Sequence, residues 1–234
     1  MDAEGKEALV RLAAESMQLE LTGKIVGNTA HMINNALTKV LGYVQLMAVE
    51  QDPLQRQRYM EQLSLGERET SAAAREFLEF ARRLRAPRGT VYINDIVASA
   101  RGLLERSCQQ QDVLLIEDYD QAIAAIEGRP GQLQLLVLHL LFNCLEAFLR
   151  GGSGGVIQVR TVALAGKVRI EIEDDGPGLD AAVLSRAFVL GYSTKEGGAG
   201  LGLPACRAIA EAHGGYVVLS NGQEGVCAVV ELSA

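Results

Sequence analysis

The sequence of 234 residues contains no tryptophan, and Phe, Trp and Tyr together make up only 5% of it. A core must therefore be built from Leu, Val, Ile and Ala, and 48% hydrophobic residues are enough to build one. The four cysteines, Cys108, Cys144, Cys206 and Cys227, are scattered singly. No pair has metal-ligand or redox spacing, so reduced, buried thiols in a reducing compartment are expected. Basic residues are outnumbered 22 to 29 by acidic ones, giving a net charge of -7. That balance argues against a nucleic-acid-binding face and fits an ordinary soluble protein or one with protein partners, and the expected location is cytoplasmic. No apolar run approaches the ~20 residues of a membrane span. The N-terminal "MDAEGKEALVRLAAE" is charged and amphipathic, unlike a signal peptide. If the polypeptide serves a membrane receptor, the receptor lies outside this chain, as a separate sensor protein or as part of a longer polypeptide of which this is the core.

Proline is also scarce, and none occurs between residues 3 and 49. This stretch reads as one long helix, frayed or bent near Gly23 and Gly27. In its second half Ile33, Leu37, Val40, Val44 and Met47 recur at steps of three and four. After "EQDPLQ", with Asp52 as N-cap and Pro53 in the first helical position, a second helix runs to about Leu84. Its stripe is Tyr59, Leu63, Thr70, Ala74, Phe77, Ala81 and Leu84. Two such helices form an antiparallel hairpin whose stripe wants more helices. A homodimeric four-helix bundle satisfies it.

"RAPRGTV", residues 85 to 91, breaks the helical pattern and reads as a linker. The domains are accordingly 1–87 and 88–234. "VYINDIVASARGLLERSC" reads as a short strand and a helix capped by Asn94. "VLLIEDY" is a strand, and "GQLQLLVLHLLFNCLEAFLR" is a strongly apolar helix. "VIQVRTVA" and "KVRIEIED" form a hairpin turning at Ala165-Gly166. "GLPACRAIAEAHGG" is a helix ended by Gly214, and a second hairpin turns near Asn221-Gly222. The class is α+β, an α/β sandwich with a mixed sheet covered on one face.

Three segments carry chemistry. In "EIEDDGPGLD" a strand ends in acids followed by Gly-Pro-Gly. It is either a solvated turn or a place where a ligand approaches backbone beside a carboxylate. In "KEGGAGLGLPACRAIAEAHGG" glycines lead into a helix, as a phosphate cradle or a flexible hinge would. No Gly-Lys-Ser/Thr follows, so it is not a Walker A loop. In "HLLFNCLEAF" His139, Asn143 and Glu146 interrupt an apolar helix. They are a buried polar cluster, or groups facing Mg²⁺ and phosphate oxygens.

The order and spacing of these pieces resemble the ATP-binding domain of the gyrase, Hsp90, histidine kinase and MutL superfamily, over residues 90 to 234. The helix with Asn143 is similar to its N box and "DDGPG" to its first glycine box. "GYSTK" resembles its F box and lid, and "GAGLGL" its second glycine box. The resemblance implies ATP and Mg²⁺. Asp174 would bind the adenine amino group, with Gly176 and Gly178 shaping the pocket. Asn143 would ligate Mg²⁺. Thr194 and Lys195 would sit on the lid, with Lys195 toward the phosphates. Gly198, Gly200, Leu201 and Gly202 would cradle the triphosphate. His139 stands where the superfamily often has Asn.

The hairpin segment "AHMINNALTKVLGYVQL" resembles the H box of sensor histidine kinases. His31 would be the phospho-acceptor, attacking the γ-phosphate of ATP, and the phosphoryl group would pass to an aspartate of a response-regulator receiver domain. Asn35, one turn later on the same face, would orient water in the reverse, phosphatase reaction. Met32 departs from the pattern, which usually has Asp or Glu. A thioether neither fixes the imidazole tautomer nor accepts its proton. A general base contributes ~10²–10⁴ in rate, so weak autophosphorylation is expected unless another carboxylate, such as Glu67 or Glu69, substitutes. The resemblance therefore implies a histidine kinase. The alternatives are a kinase-impaired phosphatase or phosphotransfer protein with ATP as conformational ligand, and a non-catalytic dimeric scaffold.

Overall fold

The computed structural model describes residues 3–151, 154–195, 198–222 and 224–234. Inside the helices, the side chains of His31 and Met32 lie outside the described residues. Two compact units emerge. One is Thr22–Arg82, and the other joins Met1–Leu21 to Arg83–Ala234. The division differs from the 87/88 boundary expected from the sequence, in which the whole of the first helix belongs to the hairpin.

The first unit consists of most of helix α1 (Ala3–Val49) and helix α2 (Pro53–Arg85). Helix α1 runs unbroken through Gly23 and Gly27. The turn is set by side chains. Glu50 Oε1 accepts the N–H groups of Gln51 and Asp52, at 2.9 and 3.0 Å. Asp52 then caps α2 by accepting the Leu54 N–H at 3.0 Å. Tyr43 and Tyr59 face each other across the hairpin with ring centroids 5.8 Å apart. Along the apolar stripe, Leu37 and Val44 remain about half exposed within this single chain, at 54% and 51%.

In the second unit, strand β1 (Gly89–Val91) pairs antiparallel with strand β3 (Ile126–Gly128) in a ribbon of its own. Helix α3 (Ile93–Gln110) follows β1, and strand β2 (Val113–Tyr119) follows α3. After β3 come helix α4 (Pro130–Gly151) and strands β4 (Gly155–Leu164) and β5 (Lys167–Asp174). Helices α5 (Ala181–Arg186) and α6 (Gly202–Ala212) precede the hairpin of β6 (Tyr216–Asn221) and β7 (Val226–Ser233). The main sheet has the order β2-β4-β5-β7-β6 and is mixed, with β2 and β4 parallel and the other pairs antiparallel.

Alternation decides which face is covered. Ile157, Val159, Val168, Ile170, Ile172, Val230 and Leu232 are buried toward α3, α4 and α6. The opposite face carries an ion cluster in which Glu231 accepts from Arg169 at 2.6 Å and from Lys167 at 3.4 Å. Helix α4 is the centre of the core. Pro130–Leu149 is long and apolar enough by composition to cross a membrane, contrary to the sequence reading, but 72% of it is buried inside the protein.

Asn94 is not the cap of α3. The N-cap is Tyr92, with no side-chain bond. Asn94 lies inside the helix and reaches across the unit, donating to the Asp120 carbonyl at 3.0 Å and accepting from Thr161 at 2.9 Å. Tertiary partners outbid the local capping preference of an asparagine. The ribbon strand β3 was missed, because "AIEG" is too short to show a period.

Candidate functional site

Helix α4 supplies the first wall of a cleft of about 200 Å³. Apart from Gln132 and Gln134, the latter donating to Ser99 Oγ at 2.8 Å, its N-terminal half is apolar and largely buried up to His139. His139, Asn143 and Glu146 are therefore exceptions with a common direction, since steps of four and three keep them on one face. Lys195 comes from the segment before α6 and meets this face. Its Nζ donates to Asn143 Oδ1 at 2.8 Å and ion-pairs with Glu146.

The end of β5 supplies the second wall. Asp174 is 5% exposed, which is costly for a carboxylate unless donors surround it. Its Oδ1 accepts the N–H groups of Gly176, at 3.0 Å, and Val226, at 3.3 Å. The Cys144 thiol, whose pKa responds to this carboxylate, donates to the Leu140 carbonyl at 3.4 Å. Burial, and then the negative charge of Asp174, hold that thiol's pKa well above its ordinary value, so it stays protonated. Beyond Gly178, the Leu179 backbone is clamped at both N–H and carbonyl by the Asn221 side chain, 2.9 Å each way. This clamp ties the loop after β5 to the end of β6.

The third wall is the segment between α5 and α6. Ser193 Oγ accepts the Lys195 N–H at 3.0 Å, and the Gly198 N–H donates to the Lys195 carbonyl at 3.1 Å. Arg186 stacks on Tyr192 at 4.1 Å and Arg207 on Phe188 at 4.2 Å. Gly200 is required twice over. Its φ is +63°, and a Cβ there would lie 2.5 Å from the Gly191 and Tyr192 backbone. Gly202 opens α6 directly against His139. A Cβ would lie 2.0 Å from the imidazole Cε1.

Of the residues singled out in the sequence, Asn143, Asp174, Gly178, Thr194, Lys195, Gly198, Gly200, Leu201 and Gly202 all line this cleft. Gly176 adjoins it through its bond to Asp174. His31 and Asn35 belong to the other unit, one turn apart on α1. The side chain of Asn35 is partly buried, and those of His31 and Met32 lie outside the described residues. Glu67 is exposed and accepts from Ser71 at 3.1 Å, while the side chain of Glu69 is outside the described residues.

Sequence reasoning missed Cys144 and Glu20. Cys144 follows Asn143 directly and could have been suspected. Glu20 lines the cleft from α1, in the stretch up to Leu21 that belongs to the second unit. Met17 and Leu21 are buried there, with Met17 Sδ 3.9 Å from Cys206 Sγ on α6. Nothing in the local sequence marks Glu20.

Residues 128–234, which contain every wall of the cleft except Glu20, match the family described as histidine kinase-, DNA gyrase B-, and HSP90-like ATPase. The C-terminal domain belongs to this ATPase family. The relatives of the chain are sensor kinases. Sporulation kinase C of Bacillus subtilis is 28% identical over 212 residues, covering 90% of this chain and 48% of the relative. The signal transduction histidine-protein kinase AtoS of Escherichia coli is 27% identical over 94% of this chain and 36% of its own length. The chain thus spans half or less of these curated relatives. In fold, the ATPase domain is similar to the catalytic domain of histidine kinase ThkA, with a TM-score of 0.58 at 24% identity over 63% of this chain and 96% of that one. ThkA in complex with response regulator protein TrrA aligns over 99% of this chain and 67% of that one, with a TM-score of 0.54 at 20% identity.

The donor set of the ATPase domain suits a Mg–nucleotide. A buried carboxylate ends β5, an amide oxygen on α4 already holds a cation, and glycines bring backbone N–H groups to the start of α6.

Proposed function

We propose that this chain is the cytoplasmic core of a dimeric two-component histidine kinase. The observation that carries the reading is the ATPase cleft, with Asp174, Asn143 and Lys195 on three walls, in one chain with a long helical hairpin bearing His31. Asp174 recognises the adenine amino group. Asn143 offers an oxygen to Mg²⁺, which supplies charge neutralisation on the phosphates. Lys195 and the N–H groups around Gly198, Gly200 and Gly202 hold the triphosphate.

A neutral ring nitrogen of His31 attacks the γ-phosphorus as the bond to the β–γ bridging oxygen breaks, and ADP leaves. Positioning and electrostatics carry such a transfer. The phosphoryl group then passes to a carboxylate oxygen of a receiver-domain aspartate, restoring the imidazole. The half-exposed stripe with Leu37 and Val44 supports a homodimer in which two hairpins make a four-helix bundle.

Met32 favours a second reading. With methionine next in sequence to His31, in place of the usual Asp or Glu, the ring proton has no carboxylate at that position to take it, and the kinase step is slow unless Glu67 or Glu69 substitutes. Asn35, one turn on, then serves chiefly to orient the water that hydrolyses phospho-aspartate. Incubation with γ-labelled ATP decides between them. Labelling that is weak in the wild type, lost in His31→Ala and raised at least tenfold in Met32→Asp fits an impaired kinase. Strong labelling that Met32→Asp does not raise shows that the methionine is no handicap. Decay of a phosphorylated receiver domain, with and without Asn35→Ala, measures the reverse activity.

A further inference from the structure

Two oxygen donors of α4 converge on one cation. Asn143 and Glu146 are three residues apart, on one face of a helix that packing holds rigid. Asn143 Oδ1 is 2.8 Å from Lys195 Nζ, and Glu146 is in ion contact with the same ammonium. The Glu146 oxygen in that contact is shielded from solvent. A rigid pair of hard oxygens, one charged and one neutral, closed around a positive charge, is a cation seat. Lys195 fills it from a loop.

We propose that Glu146 is the second protein ligand of the divalent cation, beside Asn143, and that the Lys195 ammonium occupies this seat until a metal–nucleotide displaces it. The proposal rests on reading the cleft as a Mg–nucleotide site and adds a residue and an exchange to it. The chemistry requires both. Mg²⁺ takes oxygen ligands and uses few from protein when phosphates and water complete its shell. Among the described residues no cluster of three His, Cys, Asp or Glu side chains could hold an ion alone. A two-ligand seat therefore fills when the nucleotide brings the remaining oxygens. A triphosphate entering without metal would meet the Glu146 carboxylate, and like charges at that range repel in a partly dry cleft. The incoming cation neutralises that carboxylate and releases the ammonium toward the phosphates. The lid segment carrying Lys195 thereby senses whether a cation is present.

Calorimetry on the full chain, with a non-hydrolysable ATP analogue in EDTA and in millimolar Mg²⁺, tests the ligand. The quantity read is the gain in affinity on adding Mg²⁺. Glu146→Gln is expected to cut that gain by about tenfold or more, while adenosine binding in EDTA, which reports a folded pocket, stays as in the wild type. An unchanged gain overturns the assignment of Glu146. Failure of the wild type to bind the analogue in either condition removes the nucleotide reading, and this proposal with it. Mn²⁺ alone, followed by electron paramagnetic resonance, tests the exchange. Lys195→Ala is expected to bind Mn²⁺ several-fold tighter than the wild type, with the gain lost in Glu146→Gln/Lys195→Ala. Equal binding in Lys195→Ala and wild type overturns the exchange.

Discussion

Gly202 and His139 share one small volume, and each constrains the other. A Cβ at Gly202 would lie 2.0 Å from the imidazole, so Gly202→Ala must push His139 out of the cleft wall or shift the start of α6. Either displacement misplaces the N–H groups proposed above to hold phosphate. ADP affinity is expected to fall in Gly202→Ala, and the fall to shrink several-fold in a His139→Ala background, as a double-mutant cycle by calorimetry would show. His213 makes a second residue-level case. Its Nε2 accepts the Arg129 N–H at 3.0 Å, and its Nδ1 donates to the Ile209 carbonyl at 2.7 Å, so only the neutral ring fits. Burial first, and then the charges of Arg88 and Arg129, hold its pKa below the ordinary 6.5. The folded state thus resists a proton that the unfolded state takes up. The contribution is fully present above about pH 6.5 and is lost as pH falls through the lowered folded pKa. Urea midpoints should fall between pH 7.5 and pH 5.5, and His213→Gln should flatten that decline.

At the scale of elements, the first turns of α1 belong with the ATPase domain. Met17 and Leu21 are essentially inaccessible, at 1% and 0% exposure. Met17→Ala removes a fully buried thioether and should destabilise that unit by about 2–4 kcal/mol. Circular dichroism in urea would measure it, since the chain has no tryptophan to report by fluorescence. An equal urea midpoint for mutant and wild type would show that these turns hold nothing in place. The edge strand β2 depends on a different device. Asp120, just past its end, accepts N–H groups from Ala122 at 2.8 Å and Ala163 at 2.9 Å, which stitches the strand end to β4. These contacts hold its pKa below the ordinary value, the Ala163 bond foremost.

At the scale of the whole molecule, the hairpin lacks enough core of its own. Leu37, Leu41 and Val44 stay more than half exposed in one chain, on a surface that is costly to leave in water. Leu37→Glu with Val44→Glu is expected to halve the mass measured by light scattering, because charges there oppose the burial of a second hairpin. The thermal shift of the ATPase domain with Mg–nucleotide should survive the change. A wild type that already runs at monomer mass would remove the four-helix bundle.

Much of the fold is legible in the sequence. The helices α1 and α2 announce themselves by period, α4 by its long apolar run, and the β4–β5 and β6–β7 hairpins by alternation around glycine turns. These signals live within a few residues of chain, where backbone preference and side-chain spacing act. Asn143, Asp174 and the glycines before α6 were legible for the same reason, as local motifs in a fixed order. The strand pairing of β1 with β3, the use of Asn94, the entry of Glu20 into the cleft and the seat shared by Asn143, Glu146 and Lys195 were not. Lys195 and Asn143 stand 52 positions apart. Composition and period decided which segments are helices, which are strands and which faces are apolar. Only the tertiary structure decided which polar groups meet, because an unpaired buried group finds its partner through the path of the whole chain.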